Sequence, residues 1–292
     1  MQSRNPVFAR AEGFNGNAYG NPTYPGNGAA HSGYGDPSTW GVGTPGAPSA
    51  PSAPITHTSS GPMTIDSVVQ KTGITLGVTV LAAAITWVGT RDIIVDHGTA
   101  ISSLGTLNGL AIAGALLGFV LSMVNSFKKI VSPPLVLAYA VCEGVFIGAM
   151  SKIFEAAFGQ GIVIGAVLGT FAAVAGTLAA YKFFHIQVGD RFRKWVTAAM
   201  FGFVGVALLD FVLGFFGSSF GFNGLHGIGF FASILGVGLG VLMLILDFDF
   251  VERGVRAGLP EQESWRAAFG LTVTIVWIYI ELLRILAALR NN

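Results

Sequence analysis

Residues 230–289 read FFASILGVGLGVLMLILDFDFVERGVRAGLPEQESWRAAFGLTVTIVWIYIELLRILAAL, and their reading decides the fold. Two apolar runs, each long enough for the roughly 20 helical residues that cross a bilayer, flank a short polar connection. That pattern predicts a pair of membrane-spanning helices. Set in or near them are Asp247, Asp249, Glu281 and Arg284. An ionised carboxylate near the bilayer centre costs about 2.5–3.5 kcal/mol on insertion scales, so it is expected to face the protein interior, a partner or water.

Outward from this stretch the same apolar run recurs. Spans are expected near 69–90, 103–124, 133–154, 160–183, 195–217, 226–250 and 266–289, seven in all. The composition agrees: 52% of the 292 residues are hydrophobic and only 11% are charged, with a mean hydropathy of +0.66. A soluble domain would carry about a quarter of charged residues. The expected class is therefore an all-α integral membrane protein, a multi-pass resident of the cell membrane in contact with lipid. Lys and Arg are dispersed between apolar runs, which argues against nucleic-acid binding. Cys142 stands alone, so no intramolecular disulfide and no cysteine-rich metal site can form. Residues 63–292 form the expected transmembrane domain. Residues 1–62 hold nine of the twelve prolines and eleven glycines, a composition too poor in apolar residues to offset its ordering entropy, and a disordered tail is expected. No cleavable signal peptide is expected, because the first apolar run follows about 65 polar residues.

Small residues such as Gly105, Gly109, Gly114 and Gly118 in the second span, and the run Gly236 to Val241, read as helix packing faces. Basic residues follow spans two, four and six: Lys128 and Lys129, then Lys182, Arg191, Arg193 and Lys194, then Arg253, Arg256 and Arg266. By the positive-inside rule the N-terminus is expected in the cytoplasm and the C-terminus on the outer side. Counting along the helices from the cytoplasmic end places Glu143 roughly 15 Å deep, and Asp210 and Glu281 both roughly 22 Å deep. Two carboxylates at one level in a low dielectric suggest a proton-sensitive cation site, with Arg284 as charge partner on the face of Glu281. The bland alternatives are a hydrogen bond to a neighbouring helix for each acid and snorkelling for Arg284. Asp247 and Asp249, two apart, point to different faces. With Glu252 and Arg253 they could equally mark the helix leaving the membrane.

Leu246-Asp247-Phe248-Asp249 in the sixth span, Glu281-Leu-Leu-Arg284-Ile-Leu in the seventh, and Glu143-Gly144 with Gly148 in the third resemble the Bax inhibitor-1 family in a bacterial form. The resemblance covers about residues 70–289. It implies seven helices, the seventh central and surrounded by six, a pH-sensitive calcium leak, protection from cell death and binding of a membrane protease. On this resemblance the sixth-helix acid falls on Asp247, with Asp249 as the alternative register. Thr274 stands where many members carry an aspartate, about ten residues before the arginine, and Glu281 is the candidate replacement.

The expected function is a passive Ca2+ or cation leak with Asp247, Glu281, Asp210, Glu143 and Asp249 as proton- or ion-sensing groups, and Asp247 and Glu281 as Ca2+ ligands. Hard cations favour such oxygens. No bound cofactor is expected beyond Ca2+ as the transported ion. The rival expectation is a non-conducting protein that regulates a membrane protease or a stress-response complex. An enzyme is not expected: Gly217-Ser218-Ser219-Phe220-Gly221 matches G-x-S-x-G but lies between two apolar spans. His31, His57, His97, His185 and His226 lack paired ligand spacing. His97 and His226, and Asp92 and Asp96, are expected at the outer side.

Overall fold

The computed structural model describes residues 61–90, 104–184 and 186–291, and the backbone alone at 95–96 and 99–100. Seven helices follow one another: α1 Ile65–Gly89, α2 Leu104–Phe127, α3 Pro133–Phe158, α4 Ile162–Phe183, α5 Asp190–Phe215, α6 Ile228–Arg256 and α7 Glu263–Arg290. Each is long and apolar enough to cross a membrane. Between α1 and α2 a two-residue strand β1 (Val95–Asp96) pairs antiparallel with β2 (Thr99–Ala100). The expected tail over 1–62, apart from Gly61 and Pro62, lies outside the described residues, as do His31, His57, His97, His185, Asp92 and the side chain of Asp96.

Local chemistry sets the helix starts. Thr64 and Ser67 form a reciprocal capping box at α1, which satisfies two N–H groups that the first turn leaves open. Pro133 and Pro134 open α3, where an absent N–H costs nothing. At α4 the Glu155 carboxylate accepts from the Gly161 and Val163 amides at 2.7 and 3.1 Å, so a residue of α3 caps the next helix.

Helix α7 lies at the centre. Of its most apolar window 56% is buried, against 17% for α1 and α5. Around it α1, α3, α4 and α6 pack directly, while α2 is held chiefly by α3, and α5 by α6. The contact faces are lined with small residues, since in lipid helices are held by close packing more than by an expelled solvent. Gly144 and Gly148 of α3 lie against the α1 backbone at Thr79 to Ala83, and a methyl group at either would overlap it. Gly240 abuts Ile278 of α7, and Gly236 abuts the Glu281 side chain. Of the four glycines expected to pack in α2, Gly114 and Gly118 do so, whereas Gly105 and Gly109 face open space. The outer faces of α5 and α2 expose Phe201, Phe211, Phe215, Phe119 and Leu116, the surface a hydrocarbon environment would cover.

The loops divide between two ends. At one, rich in Lys and Arg, the Met63 amide donates to Leu259 at 2.6 Å and the Glu261 amide to Gly61 at 2.9 Å, stapling the lead-in of α1 to the α6–α7 turn. Lys71 reinforces the staple through Glu261 at 2.8 Å. At the far end Arg290 donates to the carbonyls of Phe158, Gly159 and Gln160 that close α3.

Candidate functional site

Asp247 sits five turns into α6, opposite α7. Its Oδ2 accepts from the Thr274 hydroxyl at 2.7 Å. That hydroxyl also leans on the Gly270 carbonyl of its own helix at 3.2 Å. The residue standing where an acid was expected is thus the direct partner of Asp247, as a neutral donor. Asp247 borders a cavity of about 300 Å³ at the basic end, walled by Asn125 and Ser126 of α2, Phe250 of α6, and Arg266, Phe269 and Gly270 of α7. Among the described residues no Lys or Arg forms an ion pair with Asp247.

Asp249, two residues on, turns the other way. Its Oδ2 meets Arg193 of α5 at 3.3 Å and also Arg253 one turn along α6. Asp190 joins Arg193 at 3.8 Å. Buried, and bridged between two guanidinium groups, Asp249 ties α5 to α6. Glu252 accepts from the Tyr181 hydroxyl of α4 at 2.6 Å and pairs with Arg256. The three acids, spaced two and then three residues apart, therefore serve three different neighbours.

Glu281 does not replace the missing acid beside Asp247. It packs on Gly236, eleven residues before Asp247 on α6, a rise of about 16 Å. Its partners are Arg284, whose Nη1 reaches the two carboxylate oxygens at 3.3 and 3.1 Å, and the Ser233 hydroxyl. Nor does Glu281 pair with Asp210. Buried on α5, Asp210 accepts the backbone N–H groups of Phe220, Gly221 and Asn223 at 2.8, 3.1 and 2.8 Å. Gly221 has φ +84°, a conformation that glycine enters without penalty. Arg284 Nη2 then holds the carbonyls of Phe222 and Gly224 in the same loop at 3.1 and 3.2 Å. The α5–α6 loop is suspended between an acid that takes its N–H groups and an arginine that takes its carbonyls. Arg284 is half-buried, held inward by these partners, and does not snorkel. Phe222 of the loop stacks edge-on against Phe203, which meets Trp277 of α7. A smaller cavity of about 180 Å³, bordered by Asn223, Tyr279 and Arg284, lies beneath it.

Glu143 lies between α2 and α3. It is hydrogen-bonded to Tyr139 one turn back, and its Oε2 faces Gly118. Tyr139 stacks edge-on against Phe269, with ring centres 5.0 Å apart, which joins this acid to the wall of the Asp247 cavity. His226 at the far end meets Asn291 at 2.9 Å. Gly217 to Gly221 lie in the loop that Asp210 gathers.

The carboxylates thus divide among separate places. Among the described residues no three His, Cys, Asp or Glu side chains converge on a metal-sized space. A cation held here would meet one carboxylate and neutral oxygens. Asn125, close before the Lys128-Lys129 pair, is not singled out by the sequence, and Thr274 is marked there as a departure from an expected acid but not as the hydrogen-bond partner of Asp247.

A family model described as "Bax inhibitor 1 like" matches residues 5–291, reaching further toward the N-terminus than the stretch that carries the resemblance noted above. An uncharacterized protein of Chlamydia muridarum is 35% identical over 82 residues, 28% of this chain and 34% of that protein. The alignment thus spans about a third of the length of that relative.

Proposed function

This chain belongs to the Bax inhibitor 1 like family, and from that premise we propose that it is a passive leak for Ca2+ or a similar cation, gated by protons. One observation carries the reading. Asp247 is the acid that borders a cavity at the basic end and leans on a hydroxyl, while Asp249 and Glu281 are committed to arginines and Asp210 to backbone amides. A carboxylate free of a fixed counter-charge can exchange a proton or a cation with water in the cavity, and intramembrane acids of this kind mark ion and proton paths. Protonation removes the charge that attracts the ion. Thr274 leaves the gate with one acid where an acid pair was expected. Glu143, near the same wall, is the second titratable group of the path. The basic end faces the cytoplasm, by the distribution of Lys and Arg.

The test is dye-reported Ca2+ flux in liposomes containing the purified protein, across about pH 5 to 8. Wild type should conduct with a pH dependence that Asp247→Asn flattens. Flux equal to that of protein-free liposomes at every pH overturns the proposal.

A second reading, regulation of a membrane protease or stress complex, is favoured by the staple between Gly61 to Met63 and the α6–α7 turn. Through that staple a partner holding residues 1–60 would pull on the helix pair that carries Asp247. Deleting residues 1–60 separates the readings: flux that persists while a co-purifying partner is lost assigns those residues to regulation.

A further inference from the structure

We infer that Asn125 is a cation-coordinating residue of the Asp247 cavity, its Oδ1 supplying the second protein oxygen for a partly hydrated divalent cation. The inference rests on the cation reading above and extends it to a residue on a different helix.

Asn125 is 3% exposed in the last turns of α2. Its Nδ2 donates to the Leu135 carbonyl in the first turn of α3 at 3.3 Å, which orients the amide and leaves Oδ1 as the free end. Oδ1 is buried and has no hydrogen-bond partner. Buried side-chain acceptors are nearly always satisfied, so an orphan asks for a partner that comes and goes. Asn125 and Ser126 line the same 300 Å³ cavity as Asp247, and a small rotation of the amide would bring Oδ1, closed off in this conformation, to an ion held there. The Asp247 Oδ2 is taken by Thr274, while Oδ1 faces Gly270. Such a volume far exceeds the 10–15 Å³ or so that one water molecule requires.

The donor set is a carboxylate, an amide oxygen and a hydroxyl. These are hard oxygens suited to Ca2+, which takes about six to eight of them, the remainder here being water. Nitrogen and sulfur donors for a softer metal are absent from the walls. One negative charge gives weak binding and fast release, which conduction needs. Arg266 at the cavity weakens it further. Its charge is shared with Glu263, at 3.2 Å from Nε, and with the carbonyls of Lys128 and Lys129 at 3.3 and 2.9 Å from Nη2. An amide at 125 therefore tunes the site, where a second acid would trap the ion.

The experiment is Tb3+ luminescence, sensitised by tryptophan, on the full chain in detergent micelles with Ca2+ as competitor. Wild type should show a saturable signal displaced by Ca2+. Asn125→Leu should weaken Tb3+ affinity roughly tenfold and Asn125→Asp tighten it roughly tenfold, following the ligand charge count. Asp247→Asn should remove the signal. Thermal unfolding reports whether each variant folds, and the Asn125→Asp arm stands if Asn125→Leu does not. Two results overturn the inference: no saturable Tb3+ binding by wild type, or both Asn125 variants binding as wild type does. Flux in liposomes with unchanged Tb3+ binding in the Asn125 variants sinks the inference and leaves the leak standing. Asn125-dependent binding without flux sinks the leak and keeps the site.

Discussion

Arg284→Met should be among the most destabilising single changes at the far end. The substitution keeps much of the side-chain volume but removes the guanidinium. Glu281, 4% exposed, would then keep its carboxylate with Ser233 alone. Breaking a buried ion pair from one side costs about 3–5 kcal/mol, because the remaining charge is left uncompensated. The two Arg284–Glu281 distances, 3.3 and 3.1 Å, exceed the 2.7–2.9 Å or so of a strong charge-assisted bond, which favours the lower end of that range, about 3 kcal/mol. The Phe222 and Gly224 carbonyls also lose their donor, but at the rim water can replace it. Glu281→Gln combined with Arg284→Met removes both charges, and the double variant should recover about 1–3 kcal/mol relative to the sum of the single ones. Equilibrium unfolding in mixed SDS micelles, followed by tryptophan fluorescence, measures the cycle. A coupling energy of zero, or an Arg284→Met variant within about 0.5 kcal/mol of wild type, would refute the reasoning.

Gly240→Leu forces a side chain into Ile278 and Trp277 and should destabilise by about 1–3 kcal/mol or more; Gly238→Ala, facing open space, should be neutral or mildly stabilising in the same unfolding assay. The Ser151 and Tyr279 hydroxyls meet at 2.6 Å in the core, so Ser151→Ala or Tyr279→Phe alone should cost about 1–3 kcal/mol, and the double variant less than the sum. Met63→Ala empties a site that is 1% exposed against Gly254 and should cost about 2–5 kcal/mol. In that variant faster exchange of the Leu259 and Glu261 amides would report loosening of the α6–α7 turn.

How far the site could be read from sequence varies from residue to residue. Asp247 was marked by its apolar setting, and Glu281 with Arg284 by spacing three along one helix. Asp210 was marked as well, but depth counting paired it with Glu281. It instead collects three amides from a loop whose path depends on Gly221 and on the Phe222 contact with Phe203. Depth is one coordinate; rotation about the helix and the return path of the loop decide which neighbour a carboxylate meets. Asp247 and Thr274 lie 27 residues apart and touch only because α6 and α7 pack antiparallel in one register.

By itself the sequence determined what depends on short windows. The seven spans follow from apolar runs of bilayer length, and most expected boundaries lie within a few residues of those observed. The glycine contacts of α6, half of those expected in α2 and the family likeness belong with them, since backbone bonding within a helix and transfer to lipid are local properties. Only the tertiary structure decided the partners of the charges: a hydroxyl for Asp247, two arginines for Asp249 and a loop for Asp210. Those partners come from other helices, and in a membrane, where water supplies no driving force between helices, close packing of small residues sets which faces meet.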